Sequence, residues 1–300
     1  MRFIDAITGQ ITEAESLPND EAGRMWLRLE DAEPYFPQRS ESPAKPLERT
    51  IDGRFDKSHL SPEHAYRINR DYLAHCIRYG WPMKVVRERI GVGGRIFELG
   101  CGREIPFFRT LTCDHSAMKH YKPSRYVGAD LNFIKYRPAV NGINTTILSE
   151  TNVVSQPQHI PDDVFDIVLS FEVLEHMDKS DGLTFLETMI AIARRKAERE
   201  NGVGLILLST PVNGGVIAKN HIYEWHRGEL RRAFQTRGCD IIAEHGTFSN
   251  YKPLLNVLSQ EEVNVWNALC SYHSVDVLSA IFSANHPEVA RNVAWLVEVR

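Results

Sequence analysis

Short, nearly continuous apolar runs separated by helical stretches constrain the fold of this chain most strongly. The clearest are Ile-Phe-Glu-Leu at 96–99, Phe-Asp-Ile-Val-Leu-Ser at 165–170 and Val-Gly-Leu-Ile-Leu-Leu-Ser at 203–209. Strands buried on both faces have this pattern, whereas strands with one solvated face alternate between apolar and polar residues. The alternation of strands and helices therefore predicts an α/β chain with a doubly wound, Rossmann-like, mostly parallel sheet, whose ligand binds at the carboxyl ends of the strands.

The rest of the chain divides into flanking segments and further strands. Residues 1–60, with four prolines between positions 33 and 47, predict an irregular N-terminal arm, and 61–300 predict one domain that begins with a helix near Ser61. Residues 247–290 predict a helical insertion that could cover a substrate pocket. The expected further strands, the last of them at an edge of the sheet, are 126–129, 143–148, 241–244 and 293–299.

Composition excludes several classes of protein. Lys and Arg number 35 against 39 Asp and Glu, for a net charge of -4, which argues against broad, nonspecific nucleic-acid binding. No apolar run reaches the roughly 20 residues of a membrane span. The five cysteines are odd in number and scattered, which predicts reduced thiols and a cytoplasmic protein.

A glycine turn after the first strand of the domain points to a cofactor. The segment Glu-Leu-Gly-Cys-Gly spans 98–102, and Asp130 closes the second strand. Glycines let a ligand approach the backbone, and an acid at this strand end can accept hydrogen bonds from ribose hydroxyls. A dinucleotide site would usually have a third glycine and a pyrophosphate, which Glu104 would repel. Glu98 suits the sulfonium and ammonium of S-adenosylmethionine (SAM) instead; an ordinary strand-to-helix turn is the alternative.

Four segments in order resemble class I SAM-dependent methyltransferases over about residues 61–300. They are Glu-Leu-Gly-Cys-Gly at 98–102, Asp130, Phe-Asp-Ile-Val-Leu-Ser-Phe-Glu-Val-Leu-Glu-His at 165–176 and Leu-Ser-Thr-Pro at 208–211. The resemblance implies a seven-stranded sheet with an antiparallel last strand. It also implies that Gly100, Gly102 and Phe171 contact SAM and that Asp130 binds its ribose.

The chain departs from the family pattern in three places. Glu104 stands where a third glycine is usual, and an extra stretch, 113–122, lengthens the gap before Asp130. The acidic residue expected near the adenine amino group is not obvious. The side-chain oxygen of Asn152 is the candidate acceptor for that group.

A group of acids and histidines follows the fourth and fifth strands of the domain. If the chain turns helical after the fourth strand, Glu172, Glu175 and His176 share one face. His221 lies beyond the fifth strand, at the same edge of the sheet. We expect these four residues to bind one divalent metal, with Mn²⁺, Fe²⁺, Co²⁺ or Zn²⁺ better suited than Mg²⁺.

The bound metal would lower the pKa of a substrate hydroxyl and aim it at the methyl group of SAM. Glu-x-x-Glu-His followed by His-x-Tyr-Glu-Trp resembles metal-dependent small-RNA 3′-terminal 2′-O-methyltransferases, and Glu-x-x-Glu-His alone also resembles ubiquinone-biosynthesis O-methyltransferases. In metal-free relatives the histidine packs or acts as a base, so His176 and His221 are the candidate catalytic residues. The sequence therefore predicts O-methylation of a small hydroxylated substrate. A methyltransferase acting on an RNA 3′ end and a non-catalytic SAM-binding subunit are the alternatives.

Overall fold

A computed structural model describes residues 2–5, 11–13, 26–28, 77–112, 122–134, 143–215 and 217–300. The chain divides into two compact units, Met1–His59 and Leu60–Arg300. The first contains β1 (Arg2–Asp5), β2 (Ile11–Glu13) and β3 (Trp26–Arg28), paired antiparallel in the order β2-β1-β3. The arm that was expected to be irregular therefore contains a small sheet. The sequence did not indicate this sheet, because strands this short leave little periodic signal. The helix expected from Ser61 lies outside the described residues.

The second unit is built on one seven-stranded sheet, in the order β6-β5-β4-β7-β8-β10-β9. Its strands are β4 (Arg95–Leu99), β5 (Arg125–Ala129), β6 (Asn144–Leu148), β7 (Ile167–Phe171), β8 (Gly204–Pro211), β9 (Cys239–Ser249) and β10 (Ala290–Val299). β10 is antiparallel to both neighbours, and the other described pairs of this sheet are parallel. The mostly parallel α/β sheet with an antiparallel last strand is thus confirmed.

One expected position in this sheet is wrong. The last strand, β10, lies between β8 and β9 and is not an edge strand, so β9 forms that edge. The run Val-Ala-Trp-Leu-Val at 293–297 is buried throughout, as an interior strand requires. The long connection after β9 is what lets the chain return to the gap between β8 and β9.

Helices cover both faces of the sheet, and this explains why the central strands β7 and β8 are nearly continuous apolar runs. Alternate side chains of β4 enter different cores: Phe97 and Leu99 belong to one, and Ile96 to the other. None of the described helices is both long and apolar enough to span a bilayer. The helices are α1 (Gly80–Val85, continued by a π turn at Val86–Ile90), α2 (Pro106–Thr112), α3 (Lys179–Glu200), α4 (Arg227–Gln235), α5 (Tyr251–Leu255), α6 (Gln260–Leu269) and α7 (Val275–Ser283).

The connection between β9 and β10 consists of α5, α6 and α7 around a small core of its own. Leu254, Trp266 and Leu278 form that core. α7 packs closely on β9 at Gly246, where an added Cβ would lie 2.0 Å from the carbonyl oxygen of Ser283. The connection is helical, as its apolar spacing predicts. That it covers a substrate pocket stays a prediction.

Candidate functional site

A cavity of about 980 Å³ lies at the carboxyl ends of the strands of the main sheet. This volume is at the upper end of the roughly 300–1,000 Å³ usual for ligand pockets, so it can hold a nucleoside together with a second small molecule. All of the predicted site residues line it: Glu98, Gly100, Gly102, Asp130, Phe171, Glu172, Glu175, His176 and His221. Residues from distant parts of the sequence therefore meet at the edge where a doubly wound sheet binds its ligands.

The glycine turn closes one side of the cavity. Gly100 and Gly102 have φ of 73° and 75°, a left-handed conformation that glycine adopts without strain. The backbone N–H of Gly100 donates to the carbonyl oxygen of Ala129 at 2.7 Å, which fixes the turn to the end of β5. An added Cβ on Gly100 would lie only 2.2 Å from Cγ2 of Val173. Glycine is therefore required at position 100 for both conformation and space.

Asp130 is held at the end of β5 and faces the same turn. One carboxylate oxygen accepts from the backbone N–H of Gly102 at 2.7 Å. The other accepts from the N–H and the side-chain amide of Asn132, at 2.7 and 3.1 Å. A carboxylate can accept about four hydrogen bonds, so about one position remains for a ligand hydroxyl. Binding two ribose hydroxyls requires the Asn132 amide to move away.

Glu98 is a buried acid beneath the glycine turn, with only 2% of its surface exposed. Tyr126 donates its hydroxyl to the Glu98 carboxylate at 2.5 Å. Burial, reinforced by the charge of Asp130 and opposed by the Tyr126 bond, raises the pKa of Glu98 to about 8. A cationic ligand next to Glu98 would favour its ionised form.

Phe171 and Asn152, the two other predicted cofactor contacts, both line the cavity but have different neighbours. Phe171 ends β7 and packs edge-on against Tyr79, with ring centroids 5.5 Å apart. Asn152 lines the cavity, but its side-chain oxygen already accepts from the backbone N–H groups of Val154 and Ser155, at 3.0 and 3.2 Å. That oxygen is committed to a local turn, so the Asn152 side chain offers an adenine its amide nitrogen rather than the predicted acceptor.

Glu175 is a second buried acid of the cavity, with 1% of its surface exposed. Thr210, at the end of β8, donates its hydroxyl to Glu175 at 3.0 Å. Burial, and after it the negative charge of Glu172, raises the pKa of Glu175 to about 8. A bound cation would relieve both effects.

Two imidazoles join Glu175. Ligand atoms of Glu175, His176 and His221 all lie within 4.8 Å of one another, as the ligands of a single ion would. The two rings are 5.4 Å apart and nearly perpendicular. Nδ1 of His176 donates to the carbonyl oxygen of Asn220 at 3.0 Å, which leaves Nε2 with its lone pair. One carboxylate and two imidazoles match the donors that transition metals and zinc accept.

Glu172 lies apart from this group, and the expected helical face does not form. The chain makes only one 3-10 turn, at Leu174–His176, and Glu172 precedes it with φ of 56°. Its carboxylate instead accepts from Ser209 at 2.8 Å and from the side-chain amide of Asn292 at 2.6 Å. The structure thus brings together three of the four predicted metal ligands and holds the fourth toward β8 and β10.

The roles of several residues of the site were not predicted from the sequence, although Ser209, Thr210 and Glu224 fall within motifs that carry the family resemblance. Thr210, Ser209 and Asn292 hold the two glutamates, and each stands at the cavity end of a strand. Glu224 lies three residues after His221 and contacts its ring. Strand ends could have pointed to Ser209 and Thr210, but pairing Asn292 with a residue 120 positions away requires the strand order.

No protein-family model matches the chain, and neither does any curated protein. Several solved structures are similar. A SAM-dependent methyltransferase from Archaeoglobus fulgidus is 17% identical, with a TM-score of 0.46 over 79% of this chain and 97% of that one. The methyltransferase domain of bacterial CtHen1-CN is 13% identical, with a TM-score of 0.45 over 77% and 100%. The N-methyltransferase NodS from Bradyrhizobium japonicum, in complex with S-adenosylhomocysteine, is 12% identical, with a TM-score of 0.46 over 75% and 87%. These neighbours are methyltransferases, and the likeness to them is one of fold.

Proposed function

We propose that this chain is a SAM-dependent methyltransferase that methylates a hydroxyl oxygen of a small substrate, assisted by a divalent metal. One observation carries the proposal: a single cavity contains both the glycine turn with its strand-end acid and the Glu175, His176 and His221 group. The first half suits a nucleoside cofactor and the second suits a hydroxylated acceptor. A methyl transfer needs the two molecules side by side, because an aligned pair reacts far faster than a free one.

The residues around the glycine turn fit SAM on chemical grounds. Gly102 and Asp130 present backbone and a carboxylate to the cavity, and Glu98 offers a negative charge to a cation. SAM supplies a methyl group on a positively charged sulfur. The acceptor oxygen forms the new C–O bond while the C–S bond breaks, and the sulfonium charge is neutralised as the thioether leaves. The chain's task is to hold both molecules in line and to exclude water.

The second group of residues, around Glu175, fits a divalent cation. Among the described residues no Lys or Arg hydrogen-bonds the buried Glu175 carboxylate, and Nε2 of His176 lies 4.0 Å from it. Glu175, His176 and His221 would hold the ion, and Glu172 would join only by leaving Ser209 and Asn292. The bound ion would lower the pKa of the substrate hydroxyl. Without an ion, His176 and His221 remain the candidate bases for the hydroxyl proton.

The charges of the cavity favour a small acceptor over an RNA end. Acids outnumber arginines along the lining, where Arg78 and Arg291 are the basic side chains among the described residues apart from the histidines. An RNA end brings phosphates, which are repelled by carboxylates and are bound by clustered Lys and Arg. Methylation of an RNA 3′ end remains the alternative acceptor, and a non-catalytic SAM-binding subunit the alternative role.

Calorimetry with SAM, S-adenosylhomocysteine and NAD tests the cofactor. We expect binding of the first two by the wild-type chain and loss of both in Gly100→Asp, because an aspartate side chain would overlap Val173. Gly93→Asp is the matched control, since Gly93 also has a positive φ, of 84°, but has open space around it. Binding of NAD but not of SAM would overturn the proposal.

Elemental analysis and activity after EDTA treatment test the metal. We expect bound metal in the wild-type chain and its loss in His176→Ala and His221→Ala, with His159→Ala as an exposed control outside the cavity. Labelled SAM, incubated with small hydroxylated compounds and with RNA 3′ ends, would reveal the acceptor by transfer of the label. Full activity in EDTA would exclude metal assistance, and no transfer to any acceptor would favour the binding subunit.

A further inference from the structure

Glu224 is a buried acid next to the candidate site that the proposed reaction does not use. Its exposed fraction is 3%, and its Oε1 lies 2.6 Å from Nδ1 of His221. The same oxygen accepts from the backbone N–H of Ala218 at 3.1 Å. Within the described parts of the chain, no Lys or Arg forms an ion pair with this carboxylate. Burying an acid lowers the stability of the protein unless its hydrogen bonds compensate for the lost contact with water. The hydrogen bonds of Glu224, including the one with His221, therefore call for a role.

The geometry determines which nitrogen of His221 carries the proton. A carboxylate oxygen that already accepts from Ala218 is an acceptor, so Nδ1 of His221 must be the donor. Nε2 is then left with its lone pair, as in His176, whose Nδ1 donates to the Asn220 carbonyl. Both imidazoles therefore have Nε2 available to bind a metal ion, and each places a ring nitrogen within the group that includes Glu175.

Glu224 also completes the loop that carries His221. The N–H groups of Ile222 and Tyr223 donate to the backbone carbonyl of Glu175, at 2.8 and 3.2 Å, which fixes the middle of the loop to the 3-10 turn. Glu224 joins the beginning of the loop, at Ala218, to the His221 ring. Backbone contacts thus place the loop, while the carboxylate orients the ring.

We propose that Glu224 is a positioning residue that holds His221 in its Nδ1–H tautomer and directs Nε2 toward Glu175 and His176. This rests on the proposed function for its metal-binding consequence, whereas the tautomer is inferred from the contacts of Glu224 with Ala218 and His221. Outer-shell acids of this kind raise the basicity of a ligating imidazole, and their loss weakens metal binding about 10–100-fold. Glu224 itself touches neither substrate nor metal.

The experiment combines a structural and a binding measurement on the full-length protein. Histidine ¹⁵N–¹H spectra of the metal-free chain report the tautomer of His221, whose signals are identified by their absence in His221→Asn. Mn²⁺ affinity is measured on the same samples by competition with a chelating dye. The variants are Glu224→Ala, Glu224→Gln and Glu262→Gln. Glu262 is the matched control, because it contacts another histidine, His286, at 2.9 Å and does not line the cavity.

We expect Glu224→Ala to lose the Nδ1–H signature of His221 and to weaken Mn²⁺ binding about 10–100-fold. Glu224→Gln keeps an acceptor oxygen without the charge, so it should keep the tautomer and lose less affinity. Glu262→Gln should match the wild-type chain in both measurements. If Glu224→Gln and Glu224→Ala both leave the His221 spectrum unchanged, the positioning role is wrong. If the wild-type chain binds no Mn²⁺, the metal site fails, but the spectra still decide the role of Glu224.

Discussion

Replacing Gly100 by alanine tests the glycine turn, because the resulting loss in the free energy of unfolding can be worked out from the structure. A non-glycine residue in the left-handed conformation costs roughly 1–2 kcal/mol, and Gly100 has φ of 73°. The new Cβ would also lie 2.2 Å from Cγ2 of Val173, and overlap in a packed region costs about 1–3 kcal/mol. Gly100→Ala should therefore lower the free energy of unfolding by about 2–5 kcal/mol in urea denaturation.

Gly102→Ala separates the two contributions. Gly102 has φ of 75°, but the nearest atom to an added Cβ, Cδ of Pro106, is 3.6 Å away. Only the conformational cost of roughly 1–2 kcal/mol should remain. In the Gly100→Ala background, Val173→Ala removes the overlapping methyl groups, and a double-mutant cycle should give a favourable coupling of about 1–3 kcal/mol. Equal losses for the two glycines, together with a coupling near zero, would refute the overlap.

Three further results are expected. The affinity for SAM should rise as the pH rises from 6 toward about 8, because Glu98 is protonated below its raised pKa of about 8 and a cation binds its ionised form. Calorimetry should show this pH dependence in the wild-type chain and none in Glu98→Gln. Asp130→Asn should weaken SAM binding about 10–100-fold, because its amide nitrogen would face the N–H of either Gly102 or Asn132, each of which donates to a different oxygen of Asp130. An unchanged calorimetric affinity would contradict this role. Burial disfavours the charged form of Asp166, but hydrogen bonds from Arg95 and Lys196 outweigh burial and lower the pKa of Asp166 to about 2. The ionised carboxylate therefore stabilises the folded chain above about pH 3.8, and this contribution is lost as the pH falls through about 2. Asp166→Asn should accordingly cost about 1.5–3 kcal/mol at pH 7 in urea denaturation without changing SAM affinity.

The site could be predicted from the sequence where it depends on local chain geometry. Gly100 and Asp130 directly follow strands, and this places them at the carboxyl edge of any parallel sheet, whatever the neighbouring strands are. The predicted helical face failed at Glu172, whose backbone N–H donates to a carbonyl oxygen of β8 and whose side chain is held by β8 and β10. Ser209 and Asn292 provide these contacts, and neither is near Glu172 in the sequence.

The linear pattern of apolar runs alone indicated that the chain forms a helix-covered parallel sheet, since strands buried on both faces are nearly continuous apolar runs. The same pattern determined which strand ends carry acids, glycines and histidines. Only the tertiary structure decided that β10 enters between β8 and β9, and that Glu172 turns away from Glu175 and His176. Which groups meet depends on pairings between distant segments, and these pairings are set by the packing of the whole sheet rather than by any local run of residues.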